Sequence, residues 1–415
     1  MRTPIVENVP QRILSSQPRK QEDQSIAAEQ STATAHRQEV CLPYYSCRLS
    51  PKRDELLRKY GGGKATERAV LAALRWLKKY QDAEGCWRQS SGGGPGRGDT
   101  PAMTGLALLT FLAHGETPAS QEFGPTVEKA IRWLIASQEA NGHFSGRDGH
   151  DYTHPIATYA LCEAYGLTSI PVIKEAAERA TGVIVRGQNP SGMWNYNFKS
   201  IQAGKPRDDL SYTGWCVQAL KAANTAGIGG EAVEAAMRKA VAGLEQNFQP
   251  QSKSRGIFRY TTGGDHVEGR LTGVGVLAMQ LLDAANEKEA QKALKWILKH
   301  ASCDWEDPWG KNPIYYWYFT TQARFFAATD WKDWNKQFST ALVSNQTIVE
   351  GADQGAQGSP APIGYWQAVP EAAEYCKSYV YNTALCALML ESYYRYPAPA
   401  PQSRLKMRHK AMHGR

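Results

Sequence analysis

The sequence predicts an all-α fold, an (α/α)6 toroid: a closed ring of six helical hairpins with disordered N- and C-terminal tails. Two recurring markers and one alternation of helix type predict it. The first marker is a helix that ends in a glycine turn with an aromatic residue two positions later. It reads RWLKKYQDAEGCW at 75–87, RWLIASQEANGHF at 132–144 and IVRGQNPSGMW at 184–194, with looser copies at 244–258, 295–309 and 342–366. The closing aromatics are Trp87, Phe144, Trp194, Phe258, Trp309 and Trp366. The second marker is a threonine in the first turns of the next helix: Thr104, Thr158, Thr213, Thr272, Thr320 and Thr383. Two markers of different phase, each recurring at a near-fixed period, are the signature of a repeat architecture. The alternation is between an amphipathic helix, as in TERAVLAALRWLKKY at 66–80, and a helix apolar nearly all round, as in TGLALLTFLA and NTALCALML. A helix that is apolar on every side has to be buried on most sides. Six hairpins achieve this by placing their second helices in an inner ring.

Taken in order, residues 1–54 are rich in Gln, Ser, Ala, Pro and charge, and that composition predicts disorder. Residues 55–397 carry the six repeats. Thr66 reads as the N-cap of the first outer helix. Gly105, Gly214, Gly273 and Ala384 offer small surfaces on which inner helices can approach closely. The run PAPAPQ at 397–402 ends the helical pattern, because repeated proline forbids helix. A basic tail follows over 398–415. The formal net charge of the chain is +8, and much of the excess lies in Arg404, Lys406, Arg408, Lys410 and Arg415. Such a tail can touch nucleic acid or anionic lipid, and it reads first as a solvated, disordered end; membrane contact is compatible with it, and no nucleic-acid partner is expected. No stretch is apolar and long enough for a membrane span. None of the eight cysteines forms a CxxC pair. Free thiols and the absence of a secretory signal predict a cytoplasmic protein.

The first marker resembles the QW motif of squalene and hopene cyclases, in which a helix-ending Gln pairs with Gly-x-Trp. The matching residues are Gln81/Gly85/Trp87, Gln138/Gly142/Phe144 and Gln188/Gly192/Trp194, with Gln346 and Gly364/Trp366 as a looser match. The resemblance extends over about 55–397 to the prenyltransferase and squalene-cyclase repeat proteins, uncharacterised bacterial ones included. It implies the toroid and an apolar, isoprenoid-like substrate. The motif itself reads as structural: a glutamine amide for helix-end groups, a glycine for the turn, an indole over the joint.

Repeat geometry places every loop before an inner helix at one end of the ring. Residues just ahead of the marker threonines therefore share a mouth: Asp99, Thr153, His154, Asp208, Asp209, Glu268, Tyr315, Tyr316, Ser378 and Tyr379, with Asp151, Asp265 and His266 nearby. Class II terpene cyclases protonate an alkene with a DxDD aspartate, and the nearest string here, PRDD at 206–209, keeps the last two carboxylates and lacks the first. On that resemblance Asp208 is the acid, with Asp209 and Asp99 as partners. Asp151, His154, Trp215, His266, Tyr316, Trp317 and Tyr381 are the expected substrate contacts. Adjacent carboxylates raise one another's pKa, as a proton donor requires. Paired carboxylates such as Asp99 with Asp208 also fit carbohydrate cleavage, while Asp at a helix N-terminus is an ordinary cap. His143, His150 and His154 with Asp148 and Asp151 could bind a metal, but His143 and His150 read first as parts of a polar loop. No metal or other cofactor is expected. The alternative to an enzyme is a toroid that binds a lipid, peptide or protein partner at the same mouth.

Overall fold

The computed structural model describes residues 44–49, 51–95, 98–146, 152–198, 207–249, 257–261, 269–308, 311–355 and 358–397. The predicted N-terminal segment up to residue 43 and the tail from 398 lie outside them. Twelve helices form the six hairpins. The outer ones are α2 (Lys64–Lys79), α4 (Gly124–Ser137), α6 (Pro171–Arg186), α8 (Gly230–Asn247), α10 (Lys288–His300) and α12 (Trp331–Ser344). The inner ones are α3 (Thr100–His114), α5 (Thr153–Thr168), α7 (Leu210–Thr225), α9 (Thr272–Leu281), α11 (Pro313–Ala327) and α13 (Tyr379–Leu390). Two short helices flank them, α1 (Lys52–Lys59) and α14 (Ser392–Arg395). Each inner helix packs on the next, and α13 packs back on α3. The outer layer also closes, α12 against α2. The ring is complete, as the repeat predicts.

The outer joints are hydrogen-bonded stitches. Gln81 Nε2 donates to Gly85 O within its own turn and to Thr126 O of α4, both at 2.9 Å. Gln138 does the same to Gly142 O and Ala176 O, and Gln188 to Gly192 O and Ala236 O. Gln346 crosses the seam to Ala69 O of α2 at 2.8 Å. The indole Nε1 atoms of Trp87, Trp194 and Trp366 each donate to a carbonyl near the end of the preceding outer helix at 2.8 Å. These are the helix-end groups that have no partner within the helix. The turn glycine is obligatory. Gly192 has φ +99°, and a Cβ there would stand 2.1 Å from Lys239 O of the next outer helix.

The two sequence markers meet directly. The backbone amides of Trp87, Trp194 and Trp366 donate to Thr104, Thr213 and Thr383 Oγ1 at 3.1–3.2 Å. One bond thus fixes each glycine loop to its inner helix. Inner helices approach at glycines: a Cβ on Gly214 would meet Val274 Cγ1 at 2.3 Å.

Three features depart from expectation. Thr66 is not the N-cap. The helix starts two residues earlier behind Gly63, and the Thr66 hydroxyl turns back to bond Gly63 N and O at 2.9 Å. Two short hairpins interrupt the all-α pattern, β1 (Phe248–Gln249) with β2 (Ile257–Phe258) and β3 (Thr347–Gln354) with β4 (Pro360–Tyr365). The second fills the gap between Gln346 and Gly364 and lays β4 on α2. Finally, the described structure reaches back before residue 54. Tyr45 and Arg48 are buried at the end of the ring where the inner helices terminate. Arg48 donates to Arg395 O, Leu112 O and Glu163 Oε2, the last at 2.7 Å. Arg395 bonds Tyr159 and lies over the Tyr159 and Tyr396 rings. This end is closed. Beside it, buried His114 places Nδ1 against Glu116 at 2.7 Å and Nε2 against Glu67 at 3.0 Å.

Replacing Gln346 by Ala leaves the Ala69 carbonyl without its partner at the seam, and should cost about 1–3 kcal/mol in chemical denaturation. Burial alone would lower the pKa of His114, but its hydrogen bonds to Glu116 and Glu67 outweigh burial and raise it. The protonated ring therefore stabilises the fold below the ordinary histidine pKa of about 6.5, and that contribution is lost as pH rises through the higher folded value. Unfolding midpoints should fall between pH 6 and pH 9, and His114→Gln should flatten the decline.

Candidate functional site

The inner helices all start at one end, so their N-termini form the mouth. The centre beneath it is filled. The Trp215 ring of α7 stacks on Tyr318 of α11 at 5.5 Å and meets Phe319 edge-on. Tyr315 of α11 contacts Tyr152, at the start of α5 on the opposite side of the ring, at 6.2 Å. Tyr318 Oη donates to Gln218 of α7 at 2.9 Å. Trp215 and Phe319 are 1% exposed and Tyr318 0%. The expected greasy hollow is thus occupied by its own walls. Inner helices that touch at glycine leave an axis only about as wide as these rings, and the rings fill it.

The expected residues separate into groups. Asp209 is the N-cap of α7, accepting from Tyr212 N at 3.0 Å, and it is fully buried. Ser211 Oγ donates to the same carboxylate, and Tyr260 lies alongside, its carbonyl accepting Leu210 N at 2.9 Å. Burial raises the Asp209 pKa, against the pull of those donors and Arg207. Asp208 turns the other way. Its Oδ1 accepts Asn189 Nδ2 at 2.7 Å and Ser191 Oγ at 2.8 Å, both in the third glycine loop. That is the position of a loop strut. Asp99 is the half-buried N-cap residue of α3, with no side-chain bond to the helix amides.

His154 lies in the second joint, where its Nδ1 accepts the Phe144 amide at 3.1 Å, the bond that threonine accepts in three other repeats. Its Nε2 faces Ala180 O at 3.0 Å, so the ring is neutral and donates there. Burial, and next the stacked His143, push its pKa down to about 3. Trp317 faces an outer joint, donating to Ser302 O and packing on Trp305. Tyr316 and Tyr381 are half-buried at the mouth. Arg270 lies over the Tyr316 ring, and Tyr381 Oη donates to Asn312 at 3.3 Å. Asp151 and His266 lie outside the described residues.

Four residues that the sequence reading did not single out complete the site: Tyr152, Tyr196, Ser211 and Tyr260. The hydroxyls of Tyr152, Tyr196 and Ser211 form a triangle with edges of 2.9, 3.0 and 3.1 Å. Tyr315 Oη donates to Ser211 O. The mouth is therefore floored by tyrosine and serine hydroxyls gathered on one buried acid. The signal for Ser211 was its place two residues after Asp209. Tyr196 follows the Trp194 joint by two residues, a position that the repeat does not mark. Among the described residues the one cluster of metal-binding types is Asp82, Glu84 and Cys86, in the first glycine loop, and Arg88 already pairs with both of its carboxylates.

No protein-family model matches the chain, and no curated protein matches it. Solved structures do. An α-1,6-mannanase of Salegentibacter sp. HEL1_6, in an inactive variant with two consecutive aspartates replaced, is 12% identical over 80% of this chain and 99% of that chain, at a TM-score of 0.53. A D-mannose isomerase is 11% identical over 80% and 98%, at 0.54. An unsaturated glucuronyl hydrolase specific for heparin is 14% identical over 82% and 97%, at 0.51. A type II terpene cyclase from Scytonema scores lower, at 0.45. At these identities the likeness is one of fold: the chain is an α/α toroid. The narrower resemblance to squalene and hopene cyclases has no counterpart among family models. No helix among the described residues is long and apolar enough to cross a membrane.

Asp208→Ala should leave Asn189 and Ser191 without their acceptor and cost about 1–3 kcal/mol of stability. Thermal melts measure that cost, which sets the background for any assay of the mouth.

Proposed function

We propose that this toroid is an enzyme that acts on a hydroxyl-bearing, carbohydrate-like substrate at the mouth, with Asp209 as the proton donor. One observation carries the reading: a buried carboxyl with a raised pKa is gathered into a cluster of tyrosine and serine hydroxyls where the inner helices begin. A carboxyl that holds its proton at higher pH is suited to protonate a leaving oxygen. Asp99, half-buried at the start of α3, is our candidate for the second carboxylate. Partly exposed Tyr152, Tyr260, Tyr316 and Tyr381 offer ring faces and hydroxyls, the pairing that sugar recognition uses.

Two comparisons lend support. The similar structures act on sugars by their descriptions. The mannanase variant is inactive with two consecutive aspartates replaced, and Asp208–Asp209 is the one such pair in this chain. An isoprenoid substrate, by contrast, needs a deep apolar chamber, and the packed axis leaves no room among Trp215, Tyr318 and Phe319. The second reading is a non-catalytic toroid that binds its partner at the same mouth. It is favoured by the complete burial of Asp209, which keeps the carboxylate itself from solvent.

The full chain should be incubated with α-1,6-linked mannan oligosaccharides, unsaturated glucuronides, squalene and polyprenyl diphosphates. Turnover is expected on a sugar, and Asp209→Asn should lower it by about 10²–10⁴-fold. Product from squalene or a polyprenyl diphosphate, or sugar turnover unchanged in Asp209→Asn, would overturn the assignment. Binding of a sugar without turnover supports the second reading.

A further inference from the structure

Resting on the reading of Asp209 as the acid, we propose that Asp209 never touches the ligand and that its proton reaches the mouth through tyrosine hydroxyls. Tyr260 is the direct exit, and Tyr152 is the exit through Ser211.

The geometry supports this in three ways. Asp209 is 0% exposed and Ser211 3%, whereas Tyr152 and Tyr260 are only half-buried. Any ligand at the described mouth therefore meets tyrosine side chains before it meets the carboxylate. The hydroxyls are also in continuous contact. Ser211 Oγ bonds Asp209 and lies 3.0 Å from Tyr152 Oη and 3.1 Å from Tyr196 Oη, which are themselves 2.9 Å apart. Tyr260 is held beside Asp209 by the backbone, its carbonyl accepting Leu210 N at 2.9 Å and Thr261 bridging to Asp209, and its phenol interacts electrostatically with both Asp209 and Tyr196.

The third support is a count of hydrogens. Each hydroxyl donates once. With Ser211 donating to Asp209, the three edges of the triangle share two phenol hydrogens, and the arrangement that links the mouth to the acid has Tyr152 donating to Ser211 directly or through Tyr196. The chain of donors then points from the mouth to the carboxylate. When Asp209 holds the proton, the same contacts serve in the opposite sense. Burial raises the phenol pKa values of Tyr152 and Tyr260, so neither gives up a proton unless it is replaced in the same event.

The step balances. The O–H bond of Tyr152 or Tyr260 breaks as its proton passes to a ligand oxygen. That phenol oxygen takes a proton from Ser211, Tyr196 or Asp209, and each donor upstream is refilled in turn. Asp209 ends as the carboxylate. No electrons are transferred. Tyr152 and Tyr260 are thereby the catalytic groups that touch substrate, while Ser211 and Tyr196 are positioning residues.

The test needs no substrate. The full-length protein is mixed rapidly into D2O at a pH acid enough to keep Asp209 protonated. The shift of its carboxylic C=O infrared band, identified by its loss in Asp209→Asn, reports exchange of the carboxyl proton. The double variant Tyr152→Phe/Tyr260→Phe should slow that exchange by about ten-fold or more, and each single variant by less. Ser211→Ala/Tyr260→Phe should match the double variant and stands in for it if the double phenylalanine variant misfolds. Wild-type exchange in folded double variants would overturn the relay. Loss of the slowing when Ser211→Thr replaces Ser211→Ala would support it, because threonine restores the hydroxyl. Exchange remains readable in a protein without turnover, so failure here and failure of the sugar assignment are told apart.

Discussion

The ring depends on one repeated hydrogen bond, a glutamine amide at the end of an outer helix donating to a carbonyl in the next. A hairpin with an apolar inner helix cannot be stable alone, because the surface it hides must be hidden by neighbours. The stitch fixes neighbour to neighbour at the outer circumference, and the Trp-to-Thr bond carries that register inward. Gln346 repeats the stitch across the seam, so the last hairpin meets the first through the same bond that joins the first four hairpins to one another. Closure follows from repetition rather than from a special clasp.

Closure at this spacing also decides where chemistry can sit. Glycines bring the inner helices together, the axis narrows, and aromatic side chains meet across it. One end is sealed by Arg48, Glu163 and Arg395. What is left is the end where the inner helices begin. There the inner helix N-termini gather polar side chains, since their free amides favour oxygen acceptors such as Asp209 and Ser378. The same physics that caps the helices therefore supplies the candidate site, and one carboxylate, Asp209, serves both purposes.

The ring was legible because its signals are periodic. Gln81, Gly85, Trp87 and Thr104 recur in phase, and each has a contact that explains why. The site was legible in location but not in membership. Asp208 and Asp209 are neighbours in sequence, yet strand-like backbone at their junction sends one side chain to the third glycine loop and the other to the hydroxyl cluster. His154 looked like a mouth residue because it precedes a marker threonine. It instead takes over that threonine's work, accepting the Phe144 amide. Tyr152, Tyr196 and Tyr260 come from three different connections and have no common spacing, so only the folded ring brings them together. The β3–β4 hairpin was hidden inside a single long gap of the repeat.

Arg48 and Arg395 are separated by 347 residues and share a hydrogen bond at the axis. That contact cannot form early, because the accepting carbonyl belongs to Arg395, the last residue of α14. During synthesis Arg48 can reach Leu112 O and Glu163 once the first two hairpins have emerged, but its bond to Arg395 O waits for the sixth. Sealing of the axis is therefore the last event of assembly, dominated by contacts of very long range, and such topologies are slow to complete. A ribosome-bound ring would stand with its floor unlatched.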